Sequence, residues 1–243
     1  MSPTYYIILI LVSLIIGLSK GGMGAVLVVL ATPLLSQVMP VPSAISLTLP
    51  LLLIADVVAL WMYRGTWSMY YVKLLLPFAV VGIIAGTYLL ATLPNDILKV
   101  ILASFSLTFV AYKVFGDRLL NARYQPREWH GYLAGGASGL GSALANTGAP
   151  PFTAYMLLQE VSPQVFVGTM TLFFAIVNLL KVPGLMLTGL MDFQQVLGVL
   201  WVVPVILFGV WLGRWIIRRI NQTAFERFML VVLVIAAIVL LVN

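Results

Sequence analysis

Residues 17–33 read GLSKGGMGAVLVVLATP, one lysine among four glycines inside an otherwise apolar run. A lysine at the centre of a bilayer costs roughly 3 kcal/mol or more, and each glycine weakens a helix by about 1 kcal/mol relative to alanine. A continuous lipid-facing helix has no use for either. A helix interrupted inside a membrane protein uses both, because the glycines allow a turn and expose backbone N–H groups where the next half-helix starts. The lysine then adds a positive charge at the same place.

The rest of the chain supports a membrane setting. Of 243 residues, 62% are hydrophobic and 8% charged, with mean hydropathy +1.11. A soluble core has no room for so much apolar surface, whereas each spanning helix takes about 20 apolar residues. Basic residues outnumber acidic ones by 13 to 7, an excess read as cytoplasmic loop charge rather than as a nucleic-acid surface. With no cysteine and one histidine, thiolate chemistry is excluded and a metal cluster lacks ligands; neither a metal nor another cofactor is expected. The opening MSPTYYIILI has no lysine or arginine ahead of its apolar run, so the first helix is expected to be retained rather than cleaved as a signal peptide.

Apolar stretches cover 5–19, 25–39, 44–63, 72–92, 97–115, 130–145, 152–158, 165–180, 193–217 and 224–242. Two of them, 25–39 and 152–158, are short for a span and each follows a glycine-rich interruption. PFAVVGIIAGTYL (77–89) matches PVILFGVWLGRWI (204–216), with Pro77, Gly82 and Gly86 recurring as Pro204, Gly209 and Gly213. Upstream, Gly22 and Gly24 align with Gly139 and Gly141, Pro33 with Pro150, and Pro42 with Pro163. The chain therefore reads as a duplication. Its units are 1–115 and 130–243, joined by a linker over 116–129.

Charge orients the halves. Arg64, Lys73, Lys113, Arg118, Arg123 and Arg127 mark the first inter-helix loop and the linker as cytoplasmic, leaving TLPND (92–96) outside. In the second half the bases sit at the equivalent of that outside loop, as Arg214, Arg218 and Arg219, while 183–192 has none. Equivalent loops on opposite sides mean inverted repeats, with both termini outside. The expected fold is all-α and polytopic, each repeat carrying a broken, re-entrant helix pair and then three spanning helices. Carriers built this way hold their cargo near the midplane, between the repeats.

Candidate anion contacts follow from the two interruptions. Ser19, Lys20, Gly21, Gly22 and Gly24 form the first. The second, GLGSALANTGAPP, offers Gly139, Gly141, Ser142, Asn146, Thr147 and Gly148, with its break at either 139–141 or 146–148. Gly82, Gly86, Gly209, Gly213, Gly131 and Gly135 are read as close-packing glycines instead. Asp56 lies inside the 44–63 helix and aligns with Asn178. It either carries a proton or coupling ion or pairs with Arg64 or Lys20. Lys181 shares a helix face with Asn178 and is read as snorkelling to the outer surface.

GLSKGGMGAVLVVLATPLL with PVPSAISLTLP, and GLGSALANTGAPPFTAYML with VSPQVFVGTMT, resemble the paired motifs of the TauE/SafE family of sulfite and organosulfonate exporters. Residues 20–24 fill the place of the family's Gly-Ile-Gly-Gly-Gly turn, and Thr32 and Pro33 that of its Val-Pro pair. Val167, Gly168, Thr169 and Met170 fill the Val-Gly-Thr-Ser place. The first copy of that last motif and the second glycine turn are degenerate here. The resemblance implies a secondary transporter of the cytoplasmic membrane that exports a small sulfur-containing anion, its partners being that anion, a proton or other coupling ion, and the bilayer, with no nucleic acid. An anion channel is the alternative. A more distant one is an intramembrane serine hydrolase, prompted by GASG at 136–139. Its only histidine, His130, is eight positions from Ser138, about 12 Å along a helix, and precedes the serine, so that reading is rejected.

Overall fold

In the computed structural model, the described residues are 3–23, 26–119, 127–159, 161–191, 193–216 and positions 231, 234, 235 and 238. They form helices and no strand. Helix α1 (Pro3–Leu18) runs into a π-helical turn, Ser19–Met23, and α2 (Val26–Leu35) follows. Then come α3 (Val41–Met62), α4 (Met69–Thr92) and α5 (Asn95–Leu119). The second half has α6 (Glu128–Ala145), α7 (Ala149–Leu157), α8 (Pro163–Leu187), α9 (Phe193–Val199) and, after a 3-10 turn, α10 (Val203–Ile216). The stretch 116–129 is helical at both ends, since α5 continues through Leu119 and α6 begins at Glu128. Gly24 and Glu160 lie outside the described residues, as does the 224–242 helix apart from its single described positions.

Among the described residues, five segments are long and apolar enough to cross a membrane: Pro3–Gly21, Val41–Met62, Met69–Thr92, Pro163–Leu187 and Val196–Trp215. Their outward faces are apolar too. Val57 is 69% exposed beside buried Asp56, and Leu187 is 88% exposed, an arrangement stable in hydrocarbon and unfavourable in water. The protein is a polytopic membrane protein, all-helical among the described residues.

Contacts sort the helix ends onto two faces. Val41 N donates to Asn95 Oδ1 at 2.9 Å, and Tyr5, Tyr6, Val38, Met39, Gln194 and Trp201 line one cavity. The N-terminus, the α2–α3 turn and the starts of α5 and α9 therefore share one face. On the other, Ser68 N donates to Thr169 Oγ1 at 2.9 Å and Tyr70 OH to Glu128 Oε1 at 3.1 Å. Helices α1 and α2 thus form a hairpin that enters and leaves by the first face, and α6 and α7 one that enters and leaves by the second.

Glycines set the packing. Carriers of a side chain could not approach this closely: a Cβ on Gly17 would strike the Ile206 carbonyl and Gly209 of α10, and one on Gly21 the Val210 carbonyl and Gly213. Likewise Gly135 and Gly139 of α6 lie on the carbonyls of Leu75 and Ala79 in α4, and Gly82 lies on Gly136. Helix α1 is thereby fastened to α10 and α6 to α4, each by backbone-to-backbone contact, which substitutes in a bilayer for the missing hydrophobic drive. Between these pairs α3 and α8 cross the centre in contact. Both begin with proline at the first or second position, where no N–H is needed, and the Ser162 hydroxyl caps α8 by accepting from Val165 N.

Candidate functional site

Asp56 is the sixteenth residue of α3 and Asn178 the sixteenth of α8, each about 22 Å from its helix start. Because the two helices enter from opposite faces and run antiparallel, these two positions, each past the middle of its helix, can meet inside the bundle. They do: Asn178 Nδ2 donates to Asp56 Oδ2 at 2.7 Å. The other carboxylate oxygen of Asp56, Oδ1, accepts from Lys20 Nζ in an ion pair. Of the two partners weighed for Asp56 in the sequence, the structure pairs it with Lys20. Lys20 reaches it from the π turn, and π turns commonly mark functional sites because they shift one side chain off the helical register.

The second interruption falls at 146–148. Asn146 ends α6 with φ 54 and ψ 27, the left-handed conformation that asparagine tolerates better than other side-chain-bearing residues. Its N–H and that of Thr147 close back onto Ser142 and Gly141 carbonyls at 3.1 and 3.0 Å, and Gly148 then starts α7. Gly139 and Gly141 are therefore interior to α6, where the helix ladder uses their N–H groups, so they are not the break. Gly139 serves α4 packing and the Gly141 carbonyl receives Thr147. The alignment of Gly139 with Gly22 does not pair like with like, since Gly22 belongs to the π turn. Pro150 and Pro151 occupy the first turn of α7 and carry no N–H, so that end has few donors and depends on side chains.

Those side chains converge. Asn146 Nδ2 donates to Thr32 Oγ1 of α2 at 3.0 Å, and Asn146 Oδ1 accepts from Lys181 Nζ at 2.7 Å. Lys181 Nζ also donates to the Ser142 carbonyl at 3.2 Å. Lys181 is 1% exposed, so it does not snorkel: it lies in the interior, and Asn146 turns its ammonium inward. It was missed as a site residue, although its position one turn from Asn178 was legible. Thr32 was likewise missed as a contact, its hydroxyl giving no signal in an apolar helix.

The remaining candidates divide clearly. Ser19 is buried at the start of the π turn, with Gly21 backing onto α10. Ser142 and Thr147 are buried beside Asn146, and Gly148 is walled by the Ser138 carbonyl, Phe174 and Ser142. Lys20, Asp56, Asn178, Lys181, Asn146 and Thr32 thus bring together the π turn, α2, α3, α6 and α8 in one polar centre within an apolar bundle. Intramembrane polar centres of this kind are expensive and mark solute or ion pathways. As for hydrolase chemistry, His130 Nδ1 accepts from Arg127 N at 3.0 Å at the head of α6, turned to its own helix start, while Ser138 is buried further along.

The sulfite exporter TauE/SafE family model matches residues 9–240. No curated protein and no solved structure matches the chain. Coverage of nearly the whole sequence, both interruptions included, settles the assignment: the chain belongs to the TauE/SafE family of sulfite exporters and is a multi-pass membrane transporter, not an enzyme.

Proposed function

We propose that the protein is a secondary transporter that carries a small sulfur-containing anion, sulfite or an organosulfonate, outward across the cytoplasmic membrane. Two inverted repeats, 1–115 and 130–243, enclose the cargo, and the 116–129 linker lies in the cytoplasm. The repeat reading draws support from the meeting of Asp56 and Asn178, 122 residues apart, and from the parallel fastening of α1 to α10 and α6 to α4. Anion transport rests chiefly on one observation. The centre between the two interruptions holds two lysines and one carboxylate, an excess of one positive charge. A monoanion such as a sulfonate or hydrogensulfite neutralises that excess, whereas a divalent anion brings a larger desolvation cost. Ser19, Ser142, Thr147 and the backbone of Gly21, Gly22 and Gly148 shape the surroundings, and Asp56, held by Asn178, is the group able to carry a coupling proton.

Purified protein in liposomes tests this. Saturable uptake of methanesulfonate or sulfite with counterflow is the expected result, and thermal stabilisation by these anions should exceed that by carboxylates. Ohmic single-channel currents without counterflow would replace the carrier by a channel. Stabilisation by carboxylates alone would refute the sulfur-anion reading.

A further inference from the structure

The two lysines of the centre are not equivalent. Lys20 has a carboxylate of its own in Asp56, so the charge of that pair is cancelled within the protein. Among the described residues Lys181 has none: both of its hydrogen-bond acceptors, Asn146 Oδ1 and the Ser142 carbonyl, are neutral. The charged groups that act on it are Asp56, already engaged with Lys20, and Lys20 itself. A buried ammonium with no counter-ion is costly, and natural proteins keep such charges paired. Lys181 is also more deeply buried than Lys20, whose side chain retains 15% exposure against 1% for the whole of Lys181.

We propose that Lys181 is the specificity-determining cation of the transport site: its missing counter-ion is the cargo, and the pair of Lys20 and Asp56 is a neutral scaffold beside it. This inference rests on the anion-transport reading and deepens it. Asn146 holds the ammonium in place while the site is empty. An arriving sulfonate oxygen takes over the acceptor position of Asn146 Oδ1, and because the same amide donates to Thr32, the exchange loosens the tie between α6 and α2. Charge recognition and the release of one half from the other thus meet at a single amide.

The test counts charges with methanesulfonate, a monoanion at every workable pH, as the probe in proteoliposome counterflow and thermal-shift measurements. Lys181→Met should lose methanesulfonate transport by about 30-fold or more, the scale for truncating a buried hydrogen-bonded charge. Adding Asp56→Asn should not restore it. Lys20→Met should also weaken methanesulfonate binding, because it leaves Asp56 as an uncancelled negative charge, but Lys20→Met with Asp56→Asn should regain stabilisation by methanesulfonate in the thermal-shift measurement. Equal rescue of both lysine variants by Asp56→Asn would overturn the proposal, since net charge rather than Lys181 would then hold the anion. Wild-type transport by Lys181→Met would overturn it as well. If Lys181→Met is not recovered as monodisperse protein, Lys181→Arg is used. Its planar guanidinium keeps the charge but changes the donor geometry, so the order of preference among methanesulfonate, sulfite and formate should change, and an unaltered order would overturn the proposal. Failure of the wild type to bind or move any of these anions would instead refute the transporter reading itself.

Discussion

Replacing Asn146 by aspartate keeps the shape of the side chain and places a negative charge where Lys181 now meets a neutral oxygen. At the observed 2.7 Å, two unit charges attract by about 6 kcal/mol at an effective dielectric constant near 20. Burying the new carboxylate costs several kcal/mol and offsets most of that gain. The Thr32 hydroxyl, which now accepts from Asn146 at 3.0 Å, rotates to donate instead, and aspartate shares asparagine's tolerance of the left-handed backbone. Stability should therefore stay within about 2 kcal/mol of the parent. Cargo faces a different balance, because the anion must displace a tethered carboxylate rather than an amide. Apparent affinity for methanesulfonate should fall by about 100-fold, in the range for loss of a buried charge contact. Melting temperature in detergent and the concentration dependence of counterflow report the two quantities separately. An Asn146→Asp protein that folds normally and transports methanesulfonate with unchanged affinity would refute the assignment of Lys181.

Three further outcomes follow from the geometry. Asn146→Gly and Asn146→Ala both remove the contacts to Thr32 and Lys181, but at φ 54 only alanine adds left-handed strain. The alanine variant should therefore be less stable than the glycine variant by about 1 kcal/mol, measured by denaturant or thermal unfolding. Gly139→Leu should lower stability by about 1–3 kcal/mol through overpacking against α4, whereas Gly136→Ala, whose new Cβ meets nothing nearer than the Phe78 carbonyl at 3.7 Å, should be neutral or slightly stabilising; melting curves of the two proteins distinguish them. Asp56→Asn should flatten the pH dependence of flux if Asp56 carries the coupling proton, and an unchanged pH profile across liposomes of set internal pH would remove it from that role.

The described helices, the existence of two interruptions and the close-packing role of Gly82 and Gly209 were legible because apolar runs and glycine spacing respond to the bilayer directly. The position of the second break was not. Glycine permits a turn and also permits close packing, and a string such as GLGSALANTG contains both uses within ten residues. Only three dimensions separate Gly139, pressed on Ala79, from Asn146, which makes the turn by adopting a positive φ without being glycine. Lys181 was misjudged for a related reason: its sequence distance from the helix end fits a side chain extending to the surface, and the inward direction is fixed by Asn146, 35 residues away. For Asp56 the sequence offers a proton or coupling-ion role and an ion pair with Arg64 or Lys20, and the pairing with Lys20 depends on which face of α3 turns inward.

The cross-fastening of α1 to α10 and α6 to α4 has a consequence for biogenesis. Neither half contains the glycine seat of its own broken helix: Gly17 and Gly21 await Gly209 and Gly213, which are synthesised 192 residues later. During co-translational insertion the amino-terminal helix must therefore stay laterally mobile in the lipid until the carboxy-terminal region leaves the translocon. Each half closes the other, and severed halves would have to find one another in the bilayer before either could be complete.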